Sequence, residues 1–527
     1  MAFVSAAFVA YMAITGLLYF AMPEQRRWIV LLVASYVFFF INSHWLILVL
    51  FAQTLVTFLC GRQMAKIDNA ANAELESLDK KGQREAKALI RKRKSRWMLV
   101  GVLFNVGMLL FLKYNMFFVR NINIITQLFG VSVSSLGLIV PIGISFYTLQ
   151  AIAYVVDVQR GKIEADTNLA KFMLFMSYFP QILQGPIARY DHLAHQLYEG
   201  HSFDYSRLAQ GSQLILWGFI KKLVIADRLA IPVNQIFDNW GYYDGSIVFL
   251  AAMGYGLQVY ADFSGGIDIA RGFSQIIGIT LQDNFRQPYF SRSIEDFWRR
   301  WHITLGAWMK DYIFYPLSLS KAFSRVGKFS RKVFGSSIGK KVPPFIAMFV
   351  VFLLVGLWHG AKWKYIMFGV WNGVFIMFGI LLADQYSAAK KKCHIREDTF
   401  SWMLFQIIRT ILICSIGRFF SRADSFMQAI NMMRQSLIGW YDFSFLTDGT
   451  LLTLGLNTGG WAVLAVSILV LLVVDIAHEK GFSIREALAN EPIVARWIVY
   501  IAAFFVALVF GVYGVDYNSA AFIYQQF

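Results

Sequence analysis

His302 and His359 stand in hydrophobic, tryptophan-rich surroundings, and they are the residues of this sequence best suited by type to chemistry. An ionisable side chain in such a place is costly unless it is used or paired. An imidazole titrating near neutrality is the natural group to take a proton from a hydroxyl as that hydroxyl attacks an acyl carbonyl. The competing reading makes both rings hydrogen-bonding partners between helices. Which ring would remove the proton, and which would polarise the carbonyl or position the acceptor, the sequence leaves open.

The stretch 293–373 must position them. Read as one helix, its first part carries Glu295, Arg299, His302 and Gly306 on one face, beside a stripe of Trp298, Trp301, Leu305 and Trp308. Glu295 with Arg299, and Asp296 with Arg300, are spaced for i,i+4 pairing. His359 follows an apolar run and lies between Gly356 and Gly360, which permit close approach of another backbone or a substrate. Between the two parts, 321–341 reads as a basic loop without an acidic residue.

Composition fixes the broad class. The chain has 527 residues, of which 57% are hydrophobic and 15% charged, and a soluble domain of ordinary composition does not look like that. An all-α polytopic membrane protein is expected, with about 11–13 transmembrane helices plus re-entrant or in-plane helices. Cys60, Cys393 and Cys414 form no CxxC, so neither a disulfide framework nor a zinc site is indicated. His192 and His195 lie three apart without a third ligand, and no metal is expected. The net charge of +17 sits in loops between apolar runs, the pattern of cytoplasmic loops rather than of a nucleic-acid-binding face.

Along the chain, 1–60 holds N-terminal helices, with the first run read as a retained span because it lacks a signal-peptide pattern. Residues 62–96 carry eleven Lys or Arg against five Asp or Glu, which assigns them to the cytoplasmic side. A core is expected over 136–384 and C-terminal helices over 400–527. Pro141 and Gly143 should kink or unwind the span at 136–156, and Pro180, Gly185 and Pro186 suggest a re-entrant segment at 169–190. A further span is expected at 209–226, and Asp262, at the edge of an apolar run, either orients a site histidine or pairs with an arginine. Counting from a cytoplasmic 62–96 gives about twelve crossings with both termini outside. Arg409 is an intramembrane charge without an evident partner. The one GxSxG word, Gly335 to Gly339, has no strand before it and reads as a flexible linker rather than a nucleophile elbow.

Six words resemble the membrane-bound O-acyltransferase family, in its bacterial alginate O-acetylation branch. They are PIGISFYTLQAIAYVVDVQRG at 141–161, FPQILQGPIARY at 179–190, GFIKKLVIADRLA at 218–230, QVYADFSGGIDIARG at 258–272, FWRRWHITLGAWMKDYIFYPL at 297–317 and GLWHGAKWKYIMFGVWNG at 356–373. The resemblance implies one membrane domain over 1–527, with His359 as catalytic residue and His302 as a second essential one. Trp358, Trp301, Trp298, Arg299, Asp262 and Asn372 are the expected supporting residues. The implied reaction moves an acyl group, acetyl by expectation, from a cytoplasmic thioester towards hydroxyls of an extracytoplasmic polysaccharide. Acetyl-CoA would be the donor substrate, with no tightly bound cofactor. Lys321, Arg325 and Lys328 could attract its phosphates. A secreted esterase-like partner would complete transfer, and the setting would be the bacterial cytoplasmic membrane. The chain departs from the family pattern at Gly266 and Ile267 and in the basic 321–341 stretch, which leaves the polymer open among alginate, peptidoglycan, cellulose and others. D-alanyl transfer to teichoic acid, and a lipid-linked saccharide transporter, are the alternatives.

Overall fold

The computed structural model describes residues 4–75, 79–182, 184–439 and 441–513. Residues 1–3, 76–78, Leu183, Trp440 and 514–527 lie outside that description, and with them the ends of the first run and of the C-terminal region and short pieces of the basic and re-entrant segments. Among the described residues the regular structure is helical, apart from an isolated antiparallel bridge between Phe285 and Trp301. Among the described residues eight helical stretches are long and apolar enough to cross a membrane, and Ala6–Ala21 is a shorter apolar helix. Eight is fewer than the twelve crossings expected. One of the eight, Glu24–Ala71, absorbs two of the expected runs. Two others appear as shorter helices, Ile144–Arg160 and Tyr205–Phe219. The chain is thus a multi-pass membrane protein by helix length and composition.

It divides into two compact units, one of residues 1–212 with 270–282, the other of 213–269 with 283–527. The stretch 136–384 contributes to both.

In the first unit, Ile47–Leu75 and Lys80–Lys113 run as a helical pair that carries the basic segment, with Lys94 on Asp68 at 2.5 Å. Gly101 lies against Cys60, where an added methyl would stand 3.5 Å from its sulfur. The unwinding expected at Pro141 and Gly143 is present: Gly143 is left-handed and the helix starts at Ile144, so residues 136–143 are not helical. Asp166 accepts from the hydroxyls of Tyr190 and Tyr198, both at 2.8 Å, tying the loop after that helix to Tyr190–Tyr198.

In the second unit, the 321–341 stretch is helical, not a loop. Lysine and arginine are good helix formers, and Ser320 caps the start by accepting from Phe323 N–H. The helix breaks at Gly335, which adopts φ 76° and ψ 173°. The chain turns back there: Ser330 Oγ donates to Gly339 O at 2.8 Å, and a methyl on Gly327 would stand 3.3 Å from Pro343. The GxSxG word is therefore the turn of a helical hairpin. From there the chain runs to His359, and Trp363–Leu381 returns along it. That second hairpin is packed backbone to backbone, since a methyl on Gly356 would strike Tyr365 O and one on Gly369 would strike Phe352 O.

Buried charge in this unit is organised around a π-helical stretch, Ile220–Ala226. Lys221 pairs with Asp268 at 2.6 Å and Lys222 with Asp262 at 2.5 Å and Asp227 at 2.7 Å.

Candidate active site

The segment read as one amphipathic helix is two. Ile294–Arg300 ends at Trp301, His302 takes a left-handed conformation (φ 48°, ψ 53°), and Ile303–Met309 starts anew. The i, i+4, i+7 face therefore does not exist. The break is enforced by the preceding strand-like stretch. Arg286 N–H donates to Arg300 O and Ile303 N–H to Asn284 O, each at 3.0 Å, so these groups are pulled out of the helical ladder. A non-glycine residue at positive φ is uncommon, and such residues collect at functional sites.

His302 is buried, 1% exposed, and lies outside every candidate span. Its ring meets Trp358 at 5.5 Å between centres and Phe263 at 5.0 Å, both edge to face. Trp358 in turn meets His359 at 5.1 Å, and His359 meets Phe368 at 5.5 Å. Both imidazoles therefore contact one indole. They also feel each other electrostatically: burial first, and then charge on His359, hold His302 well below the usual imidazole range. A neutral ring is the form that can accept a proton.

Trp298 and Asn372 lie against the same aromatic cluster, each meeting Phe368. Trp298 Nε1–H donates to Asn372 Oδ1 at 3.1 Å, while Asn372 Nδ2 donates to Phe368 O at 2.8 Å. The Trp298 ring stands edge-on to Phe352 at 5.3 Å. Trp301, 3% exposed, stacks on Phe297 at 5.3 Å and carries the Arg418 guanidinium 4.7 Å from its ring centre.

The remaining expected residues fall elsewhere. Arg299 is a surface side chain, 67% exposed and 4.0 Å from Glu295, on a helix that ends one residue later at Arg300. The Asp262 carboxylate pairs with Lys222 at 2.5 Å. Lys321, Arg325 and Lys328 are exposed on a helix at i, i+4 and i+7, hence on one face. Arg409 donates to Arg292 O at 2.9 Å. Asn284 was not among the expected residues. It lies 18 residues before His302 and no periodicity links the two, so the sequence gives no signal for it.

Residues 161–422 match the sequence model of the membrane-bound O-acyltransferase family. The chain is 32% identical to the probable alginate O-acetylase of Pseudomonas aeruginosa over 90% of its own length and 80% of that protein's. To the probable alginate O-acetylase of Pseudomonas syringae it is 34% identical, over 63% of this chain and 59% of that one. To the peptidoglycan O-acetyltransferase of Helicobacter pylori it is 30% identical, over 65% and 64%.

Proposed function

Since the chain belongs to the membrane-bound O-acyltransferase family, we propose that it moves an acetyl group from a cytoplasmic thioester, acetyl-CoA, towards hydroxyls of an extracytoplasmic polysaccharide. The observation that carries this reading is the buried pair of imidazoles in contact with the one indole of Trp358. The relatives' names support the acceptor class, since they are called acetylases of alginate and of peptidoglycan.

In this scheme the acceptor oxygen attacks the thioester carbonyl carbon while its proton passes to an imidazole nitrogen. The tetrahedral adduct collapses by breaking the carbon–sulfur bond, and the departing thiolate takes up that proton, giving an ester and a free thiol. His359 is assigned as base. The aromatic wall of Trp298, Phe352 and Phe368 excludes water, which would otherwise take the acyl group. The face of Lys321, Arg325 and Lys328 attracts the donor's phosphates. A secreted esterase-like protein completes delivery to the polymer, and the bacterial cytoplasmic membrane is the site of action.

The test is mass spectrometry of the polysaccharide from cells carrying His359→Ala or His302→Ala, with membrane insertion checked for each variant. Loss of acetyl groups from normally inserted protein is expected. Unchanged acetyl content with His359→Ala would end the assignment.

A further inference from the structure

Three hydrogen bonds converge on one atom beside the site. Asn284 Oδ1 lies 3.0 Å from Thr304 N, 2.9 Å from Thr304 Oγ1 and 3.2 Å from His302 Nδ1. All three residues are at most 4% exposed, so these three contacts are made away from solvent.

The geometry removes two ambiguities that such a contact ordinarily carries. A backbone N–H can only donate, so the asparagine atom facing Thr304 N must be its carbonyl oxygen; the flipped amide would set an NH2 against an N–H. A carbonyl oxygen can only accept, so His302 Nδ1 must carry the hydrogen that lies between them. In a neutral imidazole the remaining nitrogen then holds the lone pair. We propose that Asn284 is a positioning residue that locks His302 as the Nδ1–H tautomer, so that Nε2 accepts a hydrogen bond from the acceptor hydroxyl and does not polarise the thioester carbonyl.

The backbone supports the same arrangement. Ile303 N–H donates to Asn284 O, so both ends of Asn284 grip the turn in which His302 adopts its left-handed conformation. The ring's plane and its tautomer are thus set by one residue, much as a partner on the second nitrogen fixes a metal-binding histidine. In this arrangement the two rings divide the work: His302 orients the hydroxyl and His359 removes its proton. This division rests on the acyl-transfer reading above.

The experiment has two arms. In full-length protein labelled with 15N-histidine, the ring of His302, assigned by comparison with His302→Gln, is expected to show the proton on Nδ1. A proton on Nε2 overturns the proposal whatever the activity. In the second arm, label is followed from acetyl-CoA to the polysaccharide fraction of isolated membranes. Asn284→Leu is expected to lower kcat by about 10–100-fold with the KM for acetyl-CoA little changed. Asn284→Asp preserves the acceptor for Thr304 and His302, so it is expected to stay within about tenfold of the parent on the same scale. Its carboxylate should move the acid limb of the pH profile upward. A wild-type kcat in Asn284→Leu, or an Asp variant with the parent's pH profile, overturns the proposal. Should Asn284→Leu fail to insert, the Asp profile alone decides. The Nδ1–H form together with full transfer in His302→Gln would instead sink the acyl-transfer role of His302 while leaving the geometry intact.

Discussion

The imidazole of His302 and the indole of Trp358 meet edge to face, ring centres 5.5 Å apart and planes at 62°. Trp358 also meets His359, ring centres 5.1 Å apart and planes at 72°, so one indole contacts both histidines. Trp358→Ala should lower acetyl transfer by about 100-fold or more, comparable to loss of one acid–base group. Trp358→Phe, which keeps an aromatic ring there, should lose less. Turnover per inserted molecule is the measurement, and equal losses in the two variants would contradict an aromatic role for Trp358.

The close backbone approach at Gly356 and Gly369 has its own consequence. Gly356→Ala and Gly369→Ala each drive a methyl into a carbonyl oxygen of the facing helix, Tyr365 O and Phe352 O respectively. Each should destabilise by about 1–3 kcal/mol, the usual cost of overpacking. Gly379 on the same helix has nothing within 4 Å of an added methyl, so Gly379→Ala is the control and should leave the melting temperature in detergent unchanged.

Lys222 is 2% exposed and holds two carboxylates, those of Asp262 and Asp227. Lys222→Met leaves both without that cation and should cost about 3–5 kcal/mol. Adding Asp262→Asn removes one of the stranded charges and should recover part of the loss. Thermal unfolding of the two variants side by side checks the sign, and a double variant weaker than the single one would contradict the pairing.

Acid should weaken the fold through His302. Its folded-state pKa lies below the unfolded value, so the unfolded chain binds the proton more readily. The contribution is therefore complete above about pH 6.5, the unperturbed imidazole value, and shrinks as the pH falls below it. His302→Gln should lose less of its melting temperature than the parent between neutral and mildly acid buffer. An identical fall in both would exclude His302 as a source.

Reversing the charges of Lys321, Arg325 and Lys328 to Glu should raise the KM for acetyl-CoA and flatten its dependence on salt, with kcat little altered. These side chains are exposed, so the fold should tolerate the change. An unchanged KM would remove the basic face from donor binding.

Much of the architecture was legible because the bilayer imposes a simple code. Long apolar runs bounded by basic segments can only be membrane helices, and the words around His302 and His359 carry the family. The unwound start at Gly143 was readable too, since proline and glycine punctuate any helix. Periodicity misled where distant backbone intervened. His302 was placed on a continuous helical face, yet the hydrogen bonds from Arg286 and to Asn284 O unwind that helix at His302 itself.

By itself, then, the sequence determined the membrane class, the glycines at 356 and 360 that permit close approach beside His359, and the two ring types available for chemistry. Only the tertiary structure decided that Trp358 contacts both of those rings, that Arg299 faces outward, that Asp262 meets Lys222, and that Asn284 holds His302. The physical reason is one of range. Hydropathy and local propensity act between neighbours along the chain, whereas a buried polar atom is satisfied by whatever donor or acceptor packing brings within about 3 Å, however far away it lies in sequence.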